Sequence, residues 1–251
     1  MKPKTALITG ATSGIGRATA IAFAQNGIRL ILCGRREERL NSLKKEIENQ
    51  VPIHTLAFDV RNREDVFKAI ESLPKAFNEI DILINNAGNA HGLDTIQEGS
   101  LDDWDAMMDS NVKGLLYVSK AIIPQMVERE SGHIINIGSS AGKEVYPKGN
   151  VYCGSKHAVL AITEGMRIDL NPYGIKVGAV NPGMVETEFS KVRFKGDRIA
   201  DSVYKGFKAL QPEDIANIIY FMVSRPAHVN IADLLVFPTA QANSITVKKN
   251  L

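Results

Sequence analysis

Short apolar runs alternate with stretches of helical periodicity from one end of this chain to the other. Thr5-Ala6-Leu7-Ile8 is the first apolar run and reads as a buried parallel strand, and residues 17–25 follow with apolar positions at helical spacing. The second strand is Arg29-Leu30-Ile31-Leu32-Cys33, and residues 37–49 form a charged helix with Leu40, Leu43 and Ile47 on one face. Residues 51–59 hold a third strand and 63–73 a helix; Ile80-Asp81-Ile82-Leu83-Ile84 is the fourth strand, ending in Asn85-Asn86-Ala87-Gly88. A long helical stretch, 101–130, is expected to break near 111–114. A fifth strand over 132–138, a helix over 151–170 and a sixth strand, Lys176-Val177-Gly178-Ala179-Val180, lead into Asn181-Pro182-Gly183. An irregular basic stretch runs to about residue 208, a helix over 213–224 starts behind Pro212, and Leu234-Leu235-Val236-Phe237 is the last strand. No repeat or linker interrupts the alternation. The pattern predicts α/β architecture: one doubly wound parallel sheet with helices on both faces, a single domain over residues 1–251. In such sheets ligands bind at the C-terminal strand ends, where the strand order reverses.

Composition narrows the function classes. With a net charge of +2 and no run of basic residues, nothing asks for nucleic acid or an anionic membrane. No apolar run approaches the ~20 residues that span a bilayer. Met1-Lys2-Pro3-Lys4 leads straight into the first strand, so no signal peptide is expected. Two cysteines, Cys33 and Cys153, make neither a disulfide framework nor a metal-ligand spacing. No metal is expected, and the thiols read as reduced ones in a cytoplasmic protein.

The first strand runs into Thr9-Gly10-Ala11-Thr12-Ser13-Gly14-Ile15-Gly16, and a helix follows. A strand, a glycine-rich turn and a helix start place backbone N–H groups and a positive helix end under a phosphate. Gly10 permits the tight turn, Gly14 and Gly16 allow close approach, and Thr12 and Ser13 add hydroxyl donors. Three residues separate the first two glycines, where the usual dinucleotide fingerprint has one. The end of the second strand distinguishes the two nicotinamide dinucleotides. An acidic residue there would bind the ribose diol of NAD; this chain has Gly34-Arg35-Arg36, a pair of guanidiniums suited to the 2′-phosphate of NADP. The plainer alternative is an ordinary charged helix start. Asp59 and Val60, at the end of the third strand, are placed for the adenine edge, or Asp59 joins Asn62 as a helix cap.

Tyr152 and Lys156, spaced i, i+4, share a helix face, and Ser139 stands thirteen residues before Tyr152 at the mouth of the fifth strand. Asn111 sits at the expected helix break. Singly each has a plain reading: a packed tyrosine, a turn-capping serine. As an ordered set, with the glycine turn, Asn85-Asn86-Ala87-Gly88 and Asn181-Pro182-Gly183, they make the chain resemble the classical short-chain dehydrogenase/reductase family over essentially its whole length. Glu188-Phe189-Ser190, Val192-Arg193-Phe194-Lys195-Gly196-Asp197 and Pro226-Ala227-His228-Val229-Asn230-Ile231 are similar to its NADP-dependent 3-hydroxy acid (serine, allo-threonine) dehydrogenase group.

The resemblance implies hydride transfer between NADP and the hydroxyl or carbonyl carbon of a small 3-hydroxy acid. Tyr152 is the implied acid–base group, made acidic by a protonated Lys156 and by the oxidised nicotinamide. Ser139 holds the substrate oxygen, and Asn111 holds a water relaying protons to Lys156. Lys156 also reaches the nicotinamide ribose. Gly10, Thr12, Ser13, Gly14, Ile15 and Gly16 take the pyrophosphate, and Asn86, Ala87 and Gly88 a ribose, while Asn85 braces the sheet. Pro182, Gly183, Val185 and Thr187 shape the nicotinamide pocket. Residues 184–206 are expected to form a substrate lid carrying Lys191, Arg193, Lys195 and Arg198. Arg193 either pairs with a substrate carboxylate or belongs to a solvated charged loop. A homotetramer is implied, packed through helices that carry Val159, Leu160 and Ile162. The rival readings are a 3-oxoacyl-thioester reductase, a broad carbonyl reductase, and a non-catalytic dinucleotide sensor, which would be expected to have lost part of the Asn111, Ser139, Tyr152, Lys156 set.

Overall fold

The computed structural model describes residues 3–196 and 202–250. Seven strands form one sheet: β1 (Thr5–Thr9), β2 (Arg29–Gly34), β3 (Ile53–Ala57), β4 (Ile82–Asn85), β5 (His133–Ile137), β6 (Lys176–Pro182) and β7 (Asp233–Val236). Their order is β3-β2-β1-β4-β5-β6-β7, and every neighbouring pair is parallel. The order therefore reverses between β1 and β4, which opens a crevice beyond Thr9 and Asn85.

Continuous apolar strands are what a sheet covered on both faces requires. Successive residues of each strand feed opposite faces. Ala6, Ile8, Leu30, Leu32, Ile82, Ile84 and Val180 lie in one core, against α1 (Gly14–Gln25), α2 (Glu37–Ile47) and the helix Pro212–Val223. Leu7, Ile31, Cys33, Leu83, Ile134 and Val177 lie in the other. There they meet α3 (Arg63–Glu71), α5 (Leu115–Glu128) and the C-terminal end of α6 (Asn150–Leu170). Among the described residues there are also α4 (Leu101–Met108) and the short α7 (Phe189–Arg193), and Pro212–Val223 is labelled α8. Pro212 occupies the first turn of α8, behind a capping box of Gln211 and Asp214.

The expected break in the long helix is present. Asp109–Gly114 winds as a π-helix between α4 and α5. A Cβ on Gly114 would stand 2.7 Å from Val60 Cγ2, so the wide turn presses its backbone against the end of β3. Single π turns inside helices concentrate at functional positions. Both cysteines are free and buried. Among the described residues, no helix is long and apolar enough to cross a membrane. Arg198 and Asp197 lie outside the described residues.

Candidate active site

The turn after β1 is built from its glycines and braced from β4. Gly10 and Gly14 have φ of +65° and +50°, a region in which a Cβ is strained. A Cβ on Gly16 would stand 2.4 Å from Gly10 O, so this glycine lets α1 close onto the turn. Thr9 Oγ1 accepts from the backbone N–H of Asn86 (3.0 Å) and Ala87 (3.0 Å). Asn86 Nδ2 donates to Thr9 O at 2.9 Å and Gly10 O at 3.3 Å. The Asn86 amide thus ties the two strand ends together, while the residue also lines the cavity where a ribose contact was expected. Asn85 does brace the sheet, donating to Ser119 Oγ and Asn136 Oδ1 at 2.9 Å each.

At the end of β2 the two arginines take different partners. Arg36 donates to Thr12 Oγ1 (3.0 Å) and Ser13 Oγ (3.0 Å) and reaches Glu188 at 3.1 Å. Arg39 also holds Glu188, at 2.8 Å. Arg35 is the more exposed and stands 3.6 Å from Asp59. Asp59 is engaged mainly by Arg61, at 2.7 Å. Burial raises its pKa, but the hydrogen bonds and charge of Arg61 outweigh that and leave its carboxyl below the ordinary value. Asn62, not Asp59, caps α3.

The four residues of the chemical set converge from three elements. Lys156 Nζ, buried in α6, donates at 3.0 Å to Ile137 O, at the C-terminal end of β5. Burial lowers its pKa from 10.5 to about 8, so at neutral pH it remains mostly an ammonium. A Cβ on Gly88 would come within 3.6 Å of that nitrogen, so a glycine there leaves the ammonium reachable from the crevice. Tyr152, one turn earlier, packs its ring 5.7 Å from that of Phe189. Burial pushes its phenol well above the ordinary value and Tyr146 adds to the rise; a hydrogen bond with Ser139 and the charge of Arg193 pull the other way without cancelling it. Desolvation dominates, so the free protein holds Tyr152 neutral; the expected acidifying effect of Lys156 together with the oxidised nicotinamide belongs to the cofactor-bound state. Ser139 Oγ also accepts from Ala141 N at 3.1 Å, which fixes its rotamer at the start of a short 3₁₀ turn.

Asn111 stands behind this group. Its side chain accepts from Asn89 N (2.8 Å) and donates to Asn89 O (2.9 Å) and Ser155 Oγ (3.0 Å). Those bonds clamp the chain after β4 against α6.

One cavity of about 730 Å³ runs along the crevice, within the usual ~300–1,000 Å³ of small-molecule sites. Every sequence-predicted cofactor residue except Gly16 lines it, as do Ser139, Tyr152, Lys156 and Arg193; Asn111 does not. Gly16 and Asn111 act from one layer back. The positive-φ glycines on the wall and the arginines at one end fit a phosphorylated dinucleotide. Residues missed from sequence also line it, among them Arg61, Tyr146, Glu188 and Gln241. Gln241 Oε1 accepts from Met184 N at 2.8 Å, and a Cβ on Gly183 would come 2.3 Å from it. Tyr146, Glu188 and Gln241 gain their places from partners far along the chain, whereas Arg61 is held by its near neighbour Asp59.

Arg193 is half-buried at the other end. It donates to Gly92 O (3.0 Å) and Tyr146 Oη (2.9 Å), and its guanidinium carbon lies 5.5 Å from the Tyr152 ring centroid. Backbone bonding between Gly92 N and Arg193 O (3.0 Å) and the Lys195–Asp103 pair (3.0 Å) seat α7 over the crevice. The solvated-loop reading of Arg193 is thereby excluded; Lys195 is exposed.

Fold and site together define a dinucleotide-binding α/β protein with a tyrosine–lysine pair at the mouth of its sheet. Comparison with known proteins narrows the class. The short chain dehydrogenase family pattern matches residues 4–198. Sulfoacetaldehyde reductase 2 of Chromohalobacter salexigens is 47% identical over 238 residues, 94% of each chain. An NADP-dependent 3-hydroxy acid dehydrogenase of Escherichia coli (strain K12) is 44% identical over 94% of this chain and 95% of its own. The closed form of a serine dehydrogenase complexed with NADP+ superposes with a TM-score of 0.92 at 43% identity, covering 98% of this chain and all of that one. This chain belongs to the short-chain dehydrogenase family.

Proposed function

We propose that this chain is an NADP-dependent oxidoreductase acting on the hydroxyl or carbonyl carbon of a small, serine-like 3-hydroxy acid. When bound, the cofactor supplies or accepts hydride at the nicotinamide C4. Tyr152 carries the proton. Its buried, neutral phenol is the form that donates to an oxygen gaining charge during carbonyl reduction, and in the oxidative direction it must first lose that proton. Ser139, bonded to the phenol, places the substrate oxygen and stabilises charge building on it. Lys156 presents a partly desolvated ammonium toward the sugar and favours the phenolate once the substrate oxygen has taken the proton. Asn111 positions α6 against the chain after β4. Residues 184–206 act as the lid, and Arg193 pairs with the acid group of the substrate.

The single observation that carries the reading is the convergence of Ser139, Tyr152, Lys156 and Arg193 on one cavity with the arginine-edged glycine turn. The relatives add chemical sense to Arg193: their names specify 3-hydroxy acids, serine or sulfoacetaldehyde, all small molecules with an acid group near an oxygen-bearing carbon. The test is a panel of serine, short 3-hydroxy acids, sulfoacetaldehyde, neutral carbonyls and an acyl-carrier 3-oxo thioester, with NADP and NAD in parallel at 340 nm. Preference for the small acids with NADP is expected. Preference for the thioester, or for neutral carbonyls, would replace the substrate assignment, and binding without turnover would favour the sensor.

A cytoplasmic homotetramer belongs to the same proposal. Buried free thiols support the location. For assembly, Val159 is already buried in its own subunit, so the apolar surface left on the long helices is at Leu116 and Ile168. Light scattering that gave a monomer would overturn the tetramer.

A further inference from the structure

The root of the lid is fastened to the arginines at the end of β2 through one carboxylate. Glu188, just before α7, receives Arg36 at 3.1 Å and Arg39 at 2.8 and 3.0 Å. The remaining nitrogens of Arg36 go to Thr12 and Ser13 on the glycine turn. An anion of this chain is therefore seated among the cations that face the 2′-phosphate corner of the cavity. All three side chains are nearly half exposed, at 42, 47 and 44%. Their bonds are weak singly and open to exchange with another anion. Glu188 is 152 residues from Arg36, and its neighbours Thr187 and Phe189 line the same cavity.

We infer that Glu188 is a built-in rival of the 2′-phosphate. It occupies Arg36 in the free protein, opposes the incoming phosphate by charge, and yields its hold on Arg36 as the phosphate enters, while Arg39 keeps the lid root attached. Glu188 thereby tempers NADP preference and makes the lid root respond to which dinucleotide is bound. The inference rests on reading this corner as the 2′-phosphate site.

The experiment measures Kd for NADPH and NADH by quenching of protein fluorescence, in low and moderate salt, for the wild type, Glu188→Gln and Glu186→Gln. Limited proteolysis of residues 184–206 is followed with and without NADPH. Glu186 is a nearby carboxylate whose partner is Gln211, and it controls for net charge. Expected for Glu188→Gln is a Kd for NADPH about three- to tenfold lower at low salt, unchanged NADH binding, and an effect that shrinks as salt screens it. Faster cleavage of the lid in the free protein is also expected, with Glu186→Gln close to wild type in every respect. Equal changes for both dinucleotides, no change for NADPH, or the same gain in Glu186→Gln would overturn the inference alone. A wild type that binds NADPH no better than NADH would overturn the reading of the corner itself, and this inference with it.

Discussion

Replacing Lys156 with methionine should make the protein inactive yet, at neutral pH, at least as stable. The native ammonium is buried, with Ile137 O as its partner, and its pKa falls from 10.5 to about 8. Between those two values the folded state holds fewer protons than the unfolded chain, so stability rises with pH across that window. Below about pH 8 the cost of burying the charge is present in full, roughly 3 kcal/mol at 1.36 kcal/mol per pH unit. Methionine removes this cost but leaves Ile137 O without a donor, a loss of about 1–3 kcal/mol. At pH 7 the variant should therefore lie between equal stability and about 2 kcal/mol more. The pH dependence is the sharper readout. The wild type should gain about 2 kcal/mol on the variant between pH 7 and 9.5, because most of the lysine titration falls there while other groups cancel in the difference. Urea unfolding of both proteins at the two pH values measures it. A wild-type-minus-variant difference that stayed flat across that range would refute a desolvated Lys156.

Three further perturbations test the rest of the site. Arg36→Ala should raise Kd for NADPH at least fivefold while leaving NADH within twofold, since only the phosphorylated dinucleotide uses the guanidinium; fluorescence titration with each decides it. Arg193→Ala should raise KM for the acid substrate at least tenfold, with a smaller effect on a neutral carbonyl of the same size, as steady-state kinetics would show. Gly10→Ala places a Cβ 2.8 Å from Asn86 Nδ2 in a backbone region that disfavours side chains. Chemical denaturation should show a loss of about 2 kcal/mol or more.

The sheet and its flanking helices were legible because buried parallel strands are continuous apolar runs and their cover helices carry one apolar face. The break at Asn111 was legible as well, and the π turn at Asp109–Gly114 is its form. What escaped was side-chain destination. Asn85 and Asn86 are adjacent, and the pleat sends one into the sheet and the other to the glycine turn. Glu188 stood out only as part of a stretch similar to the 3-hydroxy acid dehydrogenase group, with no contact assigned to it, and only the fold brings it to Arg36 and Arg39. Tyr146 and Gln241 likewise acquire their positions from Arg193 and Met184, far along the chain. The direction of the Tyr152 shift depends on how dry its surroundings are, which residue spacing does not encode.

Tyr152 as the proton-transfer group is the claim on which the chemistry depends, and Tyr152→Phe addresses it with one oxygen. The ring keeps its packing against Phe189, so folding and NADPH affinity should match the wild type. Single-turnover reduction of the best acid-bearing carbonyl substrate in the panel, followed as loss of NADPH absorbance, should slow by a factor on the order of 10² or more. A rate within threefold of wild type, with NADPH still bound, would contradict the account.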